Sequence, residues 1–360
     1  MNSTPALWRP SRLIEFDGSR TNNFTSIRLV LAWLVLYGHS FAIAKVPGLR
    51  DPLMSLFQGS IWIGEIAVSG FFAISGFLVA ASFVRRGLAD YLLSRVLRIY
   101  PALALCVGLS VFLLGPLMTN LPLVDYALAQ KTHSYLLNAF AFFPMQWQLP
   151  GVFEGNARPA VNGSLWTLTP EVNCYVFLAV VGLLGCLRDR VIANFTMLAL
   201  LAFGYFYYDD LPLLGSNSRW QQPAYYFLLG VFVHVNRAHI TLDVRLAVLM
   251  AGLAVAAMGE DWFAFVFPPA LVYLLFFVAY KTPFFDMDRR VGDISYGVYI
   301  YAWPVQQTVS ALAPSEGPYF NTAVSTLFVV VLAWISWHFL ERPALSLKAR
   351  WMNAPVRQPG

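Results

Sequence analysis

Arg28 and His39 lie in one apolar run and together could bind a phosphate and accept a proton. They are eleven positions apart, so a helix would place them on nearly the same face, about 16 Å apart along its axis. Arginine pairs with phosphate oxygens, and histidine acts as a general base or a nucleophile. A snorkelling arginine and a helix-packing histidine are the alternatives without chemistry. We expect His39 to be catalytic, because a titratable side chain deep in a membrane span costs at least ~2.5 kcal/mol.

Glu171 is the second candidate for a catalytic role. The apolar runs of His39 and Glu171 should cross a membrane in opposite directions, and each residue lies about five positions from the same side, so we expect the two at matching depth. A carboxylate there would accept the imidazole N–H, fix its tautomer and raise its basicity. The alternative is a carboxylate in the first turn of a helix, with Thr167 or Thr169 as the cap.

Arg95 and Arg98 lie one helical turn apart, close to the depth expected for Arg28. Three guanidinium groups at one rim would pair with phosphate oxygens in bidentate fashion. The usual excess of basic residues on the cytoplasmic side is the simpler interpretation of these positions alone. The remaining titratable side chains in apolar runs are Glu65, His234 and His338.

The composition of the chain is typical of a membrane protein. Of its 360 residues, 58% are hydrophobic and only 12% are charged, which is about half the charged share of a soluble domain. We therefore attribute the net charge of +5 to basic residues on one membrane face and not to nucleic-acid binding. Cys106, Cys174 and Cys186 lie in or beside apolar runs, which excludes a disulfide framework and a CxxC metal site.

Ten apolar runs approach the length of about 20 helical residues that crosses a hydrocarbon core. They lack the alternation that a barrel requires, so we predict an all-α polytopic protein with about ten transmembrane helices in the cell inner (plasma) membrane. Most of the 24 Lys and Arg residues fall on one side, which predicts that both termini are cytoplasmic. The runs are approximately 26–44, 61–84, 99–118, 166–187, 191–207, 222–236, 242–258, 262–280, 294–314 and 319–340.

These runs define one transmembrane domain, residues 26–343, between a cytoplasmic amino-terminal segment, 1–25, and a cytoplasmic tail, 344–360. The longest segment between spans is 119–165, on the outer side. Its apolar and aromatic stretch 133–147 would lie in the membrane interface as a short helix and form one wall of an acceptor site. The alternative is a loop that only covers helix ends.

Six motifs in the right order resemble those of the integral-membrane acyltransferase family 3, a family of membrane O-acyltransferases, and the match covers residues 20–345. The first is the Arg28 to His39 pair. Many members carry a histidine two residues before a proline where this chain has Ala302, so that histidine has no part in a mechanism here. The other motifs are 70–77 (GFFAISGF), 95–101 (RVLRIYP), 162–168 (NGSLWTL) followed by Glu171, 295–300 (SYGVYI) and 341–343 (ERP).

The resemblance implies transfer of an acyl group, most often acetyl from acetyl-CoA, from the cytoplasmic side to a hydroxyl of a saccharide acceptor at the outer side. His39 would be the general base or a transiently acylated nucleophile, with Glu171 orienting it and no metal taking part. The residues expected to bind acyl-CoA are Arg28, Arg95, Arg98, Ser75 and Tyr296. The residues expected to bind the acceptor are Trp166, Asn162 and Gln306.

Three of these residues have structural alternatives of their own. Ser75 with Gly76 forms a small-residue pair that would let two helices approach closely, and it lacks the strand-to-helix turn of a nucleophile elbow. Asn162 fits a turn into a helix, and Gln306 would serve packing equally well.

Two other functions compete with acyl transfer. A flippase for a lipid-linked saccharide would use the intramembrane His and Glu as a proton relay, although the chain shows no related halves. A non-catalytic partner of a polysaccharide synthase is the other alternative. Within acyl transfer, exopolysaccharide, lipopolysaccharide, a lipid-linked intermediate and a smaller glycan are all open as acceptors, as is succinyl in place of acetyl.

Overall fold

The computed structural model describes residues 7–19, 21–44, 46–141, 144–211 and 217–352. Arg20, Lys45 and Arg357, which were used to predict the orientation, lie outside these ranges, as do Phe142 and Phe143 of the long loop. Within these ranges each of the ten apolar runs coincides with helix. The α-helices are α1 (Phe24–Ile43), α2 (Pro52–Leu56), α3 (Ile63–Leu109), α4 (Gly115–Met118), α5 (Leu123–Leu128), α6 (Gln130–Tyr135), α7 (Leu168–Leu183), α8 (Arg190–Phe206), α9 (Gln221–Val235), α10 (Val244–Ala256), α11 (Phe263–Lys281), α12 (Met287–Arg290), α13 (Ser295–Leu312), α14 (Pro318–Ser336) and α15 (Arg342–Met352).

The predicted all-α class is confirmed for the described residues. Their only strands, β1 (Ser11–Arg12) and β2 (Thr241–Leu242), pair antiparallel and tie the amino-terminal segment to the turn after α9. Among these residues, five helices are long and apolar enough to cross a membrane: 24–43, 63–118, 163–183, 263–281 and 318–348. The apolar helices α8 and α10 are shorter. The protein is thus a multi-pass membrane protein, while ten spans and cytoplasmic termini stay predictions.

The helix bundle has two ends. At one end, which we call the basic end, Asp17 pairs with Arg85 and with Arg237 and so joins the amino-terminal segment to α3 and to the turn after α9. At the opposite end, the carboxylate of Asp51 accepts from the backbone N–H of Ile63 at the start of α3, 2.7 Å away. Successive helical segments run between these two ends in alternating directions.

Gly87 divides the longest helical stretch in two. A straight helix from residue 63 to 118, 56 residues long, would extend about 84 Å and greatly exceed a hydrocarbon core of about 30 Å. Gly87 has φ 75° and ψ 171°, which a residue with a Cβ rarely adopts. The chain reverses there, and the rings of Phe83 and Tyr91 on either side meet at 5.3 Å between centroids.

Two glycines let α3 and α9 pack backbone against backbone. A Cβ on Gly76 would lie 2.0 Å from the carbonyl oxygen of Phe227, and one on Gly230 would lie 2.0 Å from that of Ala73. The close helix approach predicted at Gly76 is therefore confirmed. It fixes α3 against α9, and α3 also packs against α1 and α13.

In the long loop, helix covers only part of the stretch expected to lie in the interface. α6 and a 3₁₀ turn, Leu136–Phe140, end before residue 141, and residues 144–147 are not helical. Asn138 holds this turn, because its amide exchanges hydrogen bonds of 2.8 and 2.9 Å with the backbone of Gln146. The loop is therefore a folded cap with a buried centre and not one continuous interfacial helix.

Candidate active site

All five predicted cofactor residues line one cavity of about 370 Å³ at the basic end. We call it the arginine cavity. Five basic side chains and two acidic ones border it, so its field favours an anion. The sequence-predicted residues that line it are Arg28 from α1, Ser75, Arg95 and Arg98 from the two halves of α3, Glu171 from α7 and Tyr296 from α13.

Asp293 joins two of these arginines. Its Oδ2 accepts from Nη1 of Arg28 at 2.8 Å and from Nη2 of Arg98 at 2.9 Å, while Ser295 donates to Oδ1 at 2.6 Å. Burial alone would raise the pKa of Asp293, but the charges of Arg28 and Arg98 outweigh it and lower the pKa to about 2. Arg98 also lies 3.6 Å from Glu341. Arg28 and Arg98 are therefore already partly neutralised.

Arg95 differs from its neighbours because no acidic side chain of the described residues lies within 4.0 Å of its guanidinium. Its Nε is buried and lacks a hydrogen-bond partner among those residues. The guanidinium carbon lies 5.7 Å from the ring centroid of Tyr175, a contact typical of cation–π pairs. A half-buried cation with an open donor is suited to an anionic ligand.

Tyr175 connects two of the predicted residues in the wall of the cavity. Its hydroxyl hydrogen-bonds to the carboxylate of Glu171 and lies 2.9 Å from Oγ of Ser75. Glu171 and Tyr175 are one helical turn apart on α7, so they share a face. The carboxylate thus faces the arginines and belongs to this network.

His39 lies beyond the arginine cavity, between two tryptophans. Its ring centroid is 4.7 Å from that of Trp303, edge to face, and 5.9 Å from that of Trp62. The ring is 6% exposed, and its Nδ1 has no hydrogen-bond partner among the described residues. Tyr299, which borders the arginine cavity, is one turn before Trp303 on α13, so the inner end of the cavity lies about 6 Å below His39 along that helix.

The structure does not bring Glu171 and His39 together, contrary to the expected matching depth. The reason is the level at which α7 begins. The 3₁₀ turn before it, Gly163–Thr167, starts inside the bundle, where a Cβ on Gly163 would lie 2.6 Å from the Trp303 ring. Glu171 follows eight residues later, about 12 Å closer to the basic end if the segment is helical. Its depth is that of the arginines.

The predicted acceptor residues have different surroundings. Asn162 caps the 3₁₀ turn through the N–H of Ser164 and donates to the carbonyl of Ile300 at 2.9 Å, as its structural alternative predicted. Gln306 is fully buried and donates to Leu36 and Ser40 of α1. Trp166 is partly exposed on the 3₁₀ turn. None of the three borders the arginine cavity.

Comparison with known proteins identifies the family of this chain. The family model described as "Acyltransferase domain", acyltransferase family 3, matches residues 22–338. The chain belongs to this family. The acyltransferase is similar to the "O-acetyl transferase" of Shigella phage Sf6, with 27% identity over 336 residues, 91% of this chain and 97% of that protein. It is also similar to "Nodulation protein 10" of Rhizobium leguminosarum bv. viciae, with 28% identity over 368 residues, 93% of this chain and 96% of that protein. No solved structure matches it. It is an O-acyltransferase.

Three residues of the candidate site were not predicted from the sequence. Asp293 stands two positions before the Ser295-Tyr296 motif, and only the fold shows that it faces two arginines. Tyr175 was detectable, since it lies four positions after Glu171 on the same helix face. Trp303 follows Ala302, the position that is often histidine in the family, and the structure places its ring against His39.

Proposed function

We propose that this acyltransferase moves an acyl group, acetyl in the first place, from CoA in the arginine cavity to a saccharide hydroxyl near His39. The observation that carries the proposal is Arg95, whose Nε lacks a hydrogen-bond partner among the described residues, beside Arg28 and Arg98 in a cavity that ends one helical turn from His39. The phosphates of CoA supply the anion, and the inner end accommodates the pantetheine arm. The relative named O-acetyl transferase supports acetyl as the group and oxygen as its acceptor.

His39 acts on the acceptor by one of two routes. As a general base, the imidazole takes the proton of the hydroxyl while its oxygen attacks the thioester carbonyl, and the CoA thiolate leaves and is protonated. As a nucleophile, a ring nitrogen attacks the thioester carbonyl first and expels the CoA thiolate, so that an acyl-imidazole forms. The hydroxyl oxygen then attacks the acyl carbonyl, the imidazole leaves, and the hydroxyl proton ends on the imidazole or on the CoA thiolate. The general-base route requires a nitrogen of His39 to face the acceptor hydroxyl, whereas the nucleophilic route requires it to face the thioester carbonyl.

Glu171 serves the donor side of this reaction. It lies with Tyr175 and Ser75 at the level of the arginines, too far along α7 to hold the imidazole. The hydroxyls of Tyr175 and Ser75 point into the same region and are able to bond the amides of the pantetheine arm. We assign the orientation of His39 instead to the rings of Trp62 and Trp303.

Binding of CoA tests the proposal without knowledge of the acceptor. The purified protein should be protected against heating by CoA, because a ligand that binds the folded state stabilises it. Arg95→Gln should weaken CoA binding about 10- to 100-fold, as expected for loss of a charge-assisted hydrogen bond of ~1.5–3 kcal/mol. Arg188→Gln is the matched control, since Arg188 is exposed and does not border the cavity.

The outcomes separate the competing functions. A flippase would not be stabilised against heating by CoA. Equal CoA affinity of Arg95→Gln and Arg188→Gln would show that CoA does not bind in the arginine cavity. His39→Ala should bind CoA as the native protein does yet lose acyl transfer, whereas a non-catalytic partner would leave surface glycans acylated. Acetyl-imidazole detected by mass spectrometry after acetyl-CoA is supplied without acceptor would select the nucleophilic route, and its repeated absence would select the general base.

A further inference from the structure

A second cavity of about 450 Å³ lies at the opposite end of the bundle, between the start of α3, α8, α9 and α11. We call it the distal cavity. It shares no lining residue with the arginine cavity. It contains Glu65, a titratable residue within an apolar run that acyl transfer as proposed above does not use. A half-buried carboxylate in a membrane span needs a polar partner or a ligand.

The polar and apolar groups of the distal cavity are segregated. Gln221 and Gln222 stand at the first turn of α9, nearest the opposite end, whereas Leu228 lies seven residues on, about 10 Å deeper. Gln222 hydrogen-bonds to Glu65 and donates to Ser69 at 3.3 Å. The deeper wall is apolar, formed by Leu200, Leu201, Leu228, Phe267 and Pro268. Such a polar mouth above an apolar base matches an amphiphile.

The distal cavity is separated from His39 by a single turn of helix. Ile61 and Glu65 border the cavity, while Trp62, between them in sequence, contacts the His39 ring. The carbonyl of Trp62 accepts from the backbone N–H of Glu65 at 3.1 Å. A head group held at Glu65 therefore lies about one helix diameter, roughly 10 Å, from the imidazole.

We infer that the distal cavity binds the hydrocarbon chain of an amphiphile and that Glu65 and Gln222 hold its hydroxyl- or amide-bearing head. The inference rests on the proposed function, since an amphiphile whose hydrocarbon chain lies in the distal cavity would present an attached sugar to His39. It specifies the acceptor as a lipid-linked saccharide and not a free sugar. Glu65 and Gln222 are then specificity residues for the acceptor, and the apolar base excludes water-soluble glycans.

The test uses a defined probe, a dodecyl β-glucoside with a diazirine at the end of its chain, added to the protein in phosphatidylcholine nanodiscs. Photolabelling should fall on peptides from α8, α9 and α11. Gly204→Leu should reduce it at least tenfold, because Gly204 borders the cavity and a Cβ there fits, 3.4 Å from Leu211. Gly252→Leu is the matched control, since a Cβ there meets open space outside the cavity. Ala264→Leu, exposed on α11 within the same cavity, replaces Gly204→Leu should that variant fail to fold.

Each result decides the assignment. Labelling lost in Gly204→Leu and kept in Gly252→Leu supports the chain site. Equal labelling in both variants means that the probe lies in the surrounding lipid, and suppression by free glucose means a saccharide site; either overturns the inference. Protection by CoA is measured on the same samples. If CoA fails to protect the native protein while labelling depends on Gly204, the proposed function is wrong, but the distal cavity still binds the hydrocarbon chain of the probe.

Discussion

Asp293→Asn would test the charge balance of the arginine cavity, because it removes the anion shared by Arg28 and Arg98 at nearly constant volume. The pKa of Asp293, lowered from 3.8 to about 2, corresponds to roughly 2 kcal/mol of stabilisation at 1.36 kcal/mol per pKa unit. Loss of the anion also leaves two cations uncompensated, although Glu341 still lies 3.6 Å from Arg98. We expect the free energy of unfolding to fall by ~2–4 kcal/mol.

The pH dependence follows from the sign of this shift. A lowered pKa in the folded state stabilises the protein at every pH above the unfolded value of 3.8, and the stabilisation is lost as the pH falls through about 2. The difference between the native protein and Asp293→Asn should therefore stay constant between about pH 8 and pH 5. It should shrink only below about pH 4.

Reversible unfolding in mixed micelles, followed with and without CoA, measures both effects. CoA should stabilise Asp293→Asn more than the native protein, because its phosphates replace the missing carboxylate between Arg28 and Arg98. Asp17→Asn is the control: Asp17 also bridges two arginines, but its side chain is 26% exposed against 16% for Asp293, and it lies outside the cavity. There the loss should be at most about 1 kcal/mol, with no change in the CoA effect. Native-like stability of Asp293→Asn, or a loss that CoA leaves uncorrected, would refute the reasoning.

Two further substitutions probe packing and the surroundings of His39. Gly76→Ala should destabilise the protein by ~3 kcal/mol or more, since the new Cβ would lie 2.0 Å from a backbone oxygen of α9. The control Gly252→Ala, with open space around the new Cβ, should be neutral or stabilise the protein by up to about 1 kcal/mol. Equal unfolding midpoints of the two variants would contradict the close packing of α3 and α9. Trp303→Ala should lower kcat at least tenfold while CoA still protects the protein against heating. Trp303→Phe keeps a ring against His39 and should retain most of kcat. If Trp303→Ala changed only the KM for CoA, Trp303 would belong to the CoA site instead.

The helical fold could be predicted from the sequence because lipid permits few backbone structures. Apolar runs in a bilayer become helices, and each run coincides with one in the described chain. The arginine cavity was accessible for a related reason, since Arg95 and Arg98 share a helix face and Arg28 begins a neighbouring span. The acidic partner, Asp293, was not accessible, because it lies in a turn between α12 and α13 whose direction is fixed only by packing.

The relative depth of two residues on different helices was harder to predict, because it depends on where each helix begins. The prediction for Glu171 assumed that α7 begins at the membrane surface, as α1 ends there. In the structure the segment before α7 dips into the bundle, and Asn162 satisfies the backbone of Ser164 and Ile300 at that depth. A buried loop needs such a side chain, because lipid offers its amides no water. Asn162 was the available signal that α7 starts inside the protein.

The separation of Glu171 from His39 changes what the mechanism requires. An imidazole without a carboxylate partner must be oriented by shape, and the edge-to-face contact with Trp303 supplies a fixed plane for the ring. Acidic residues are instead concentrated around the arginines, where they neutralise Arg28 and Arg98 and leave Arg95 with an open donor. The same chain therefore keeps its ion pairs at the arginine cavity and packs two aromatic rings against His39. In the proposed reaction these rings would limit the water beside the attacking hydroxyl, which would favour transfer to the acceptor over hydrolysis of the thioester.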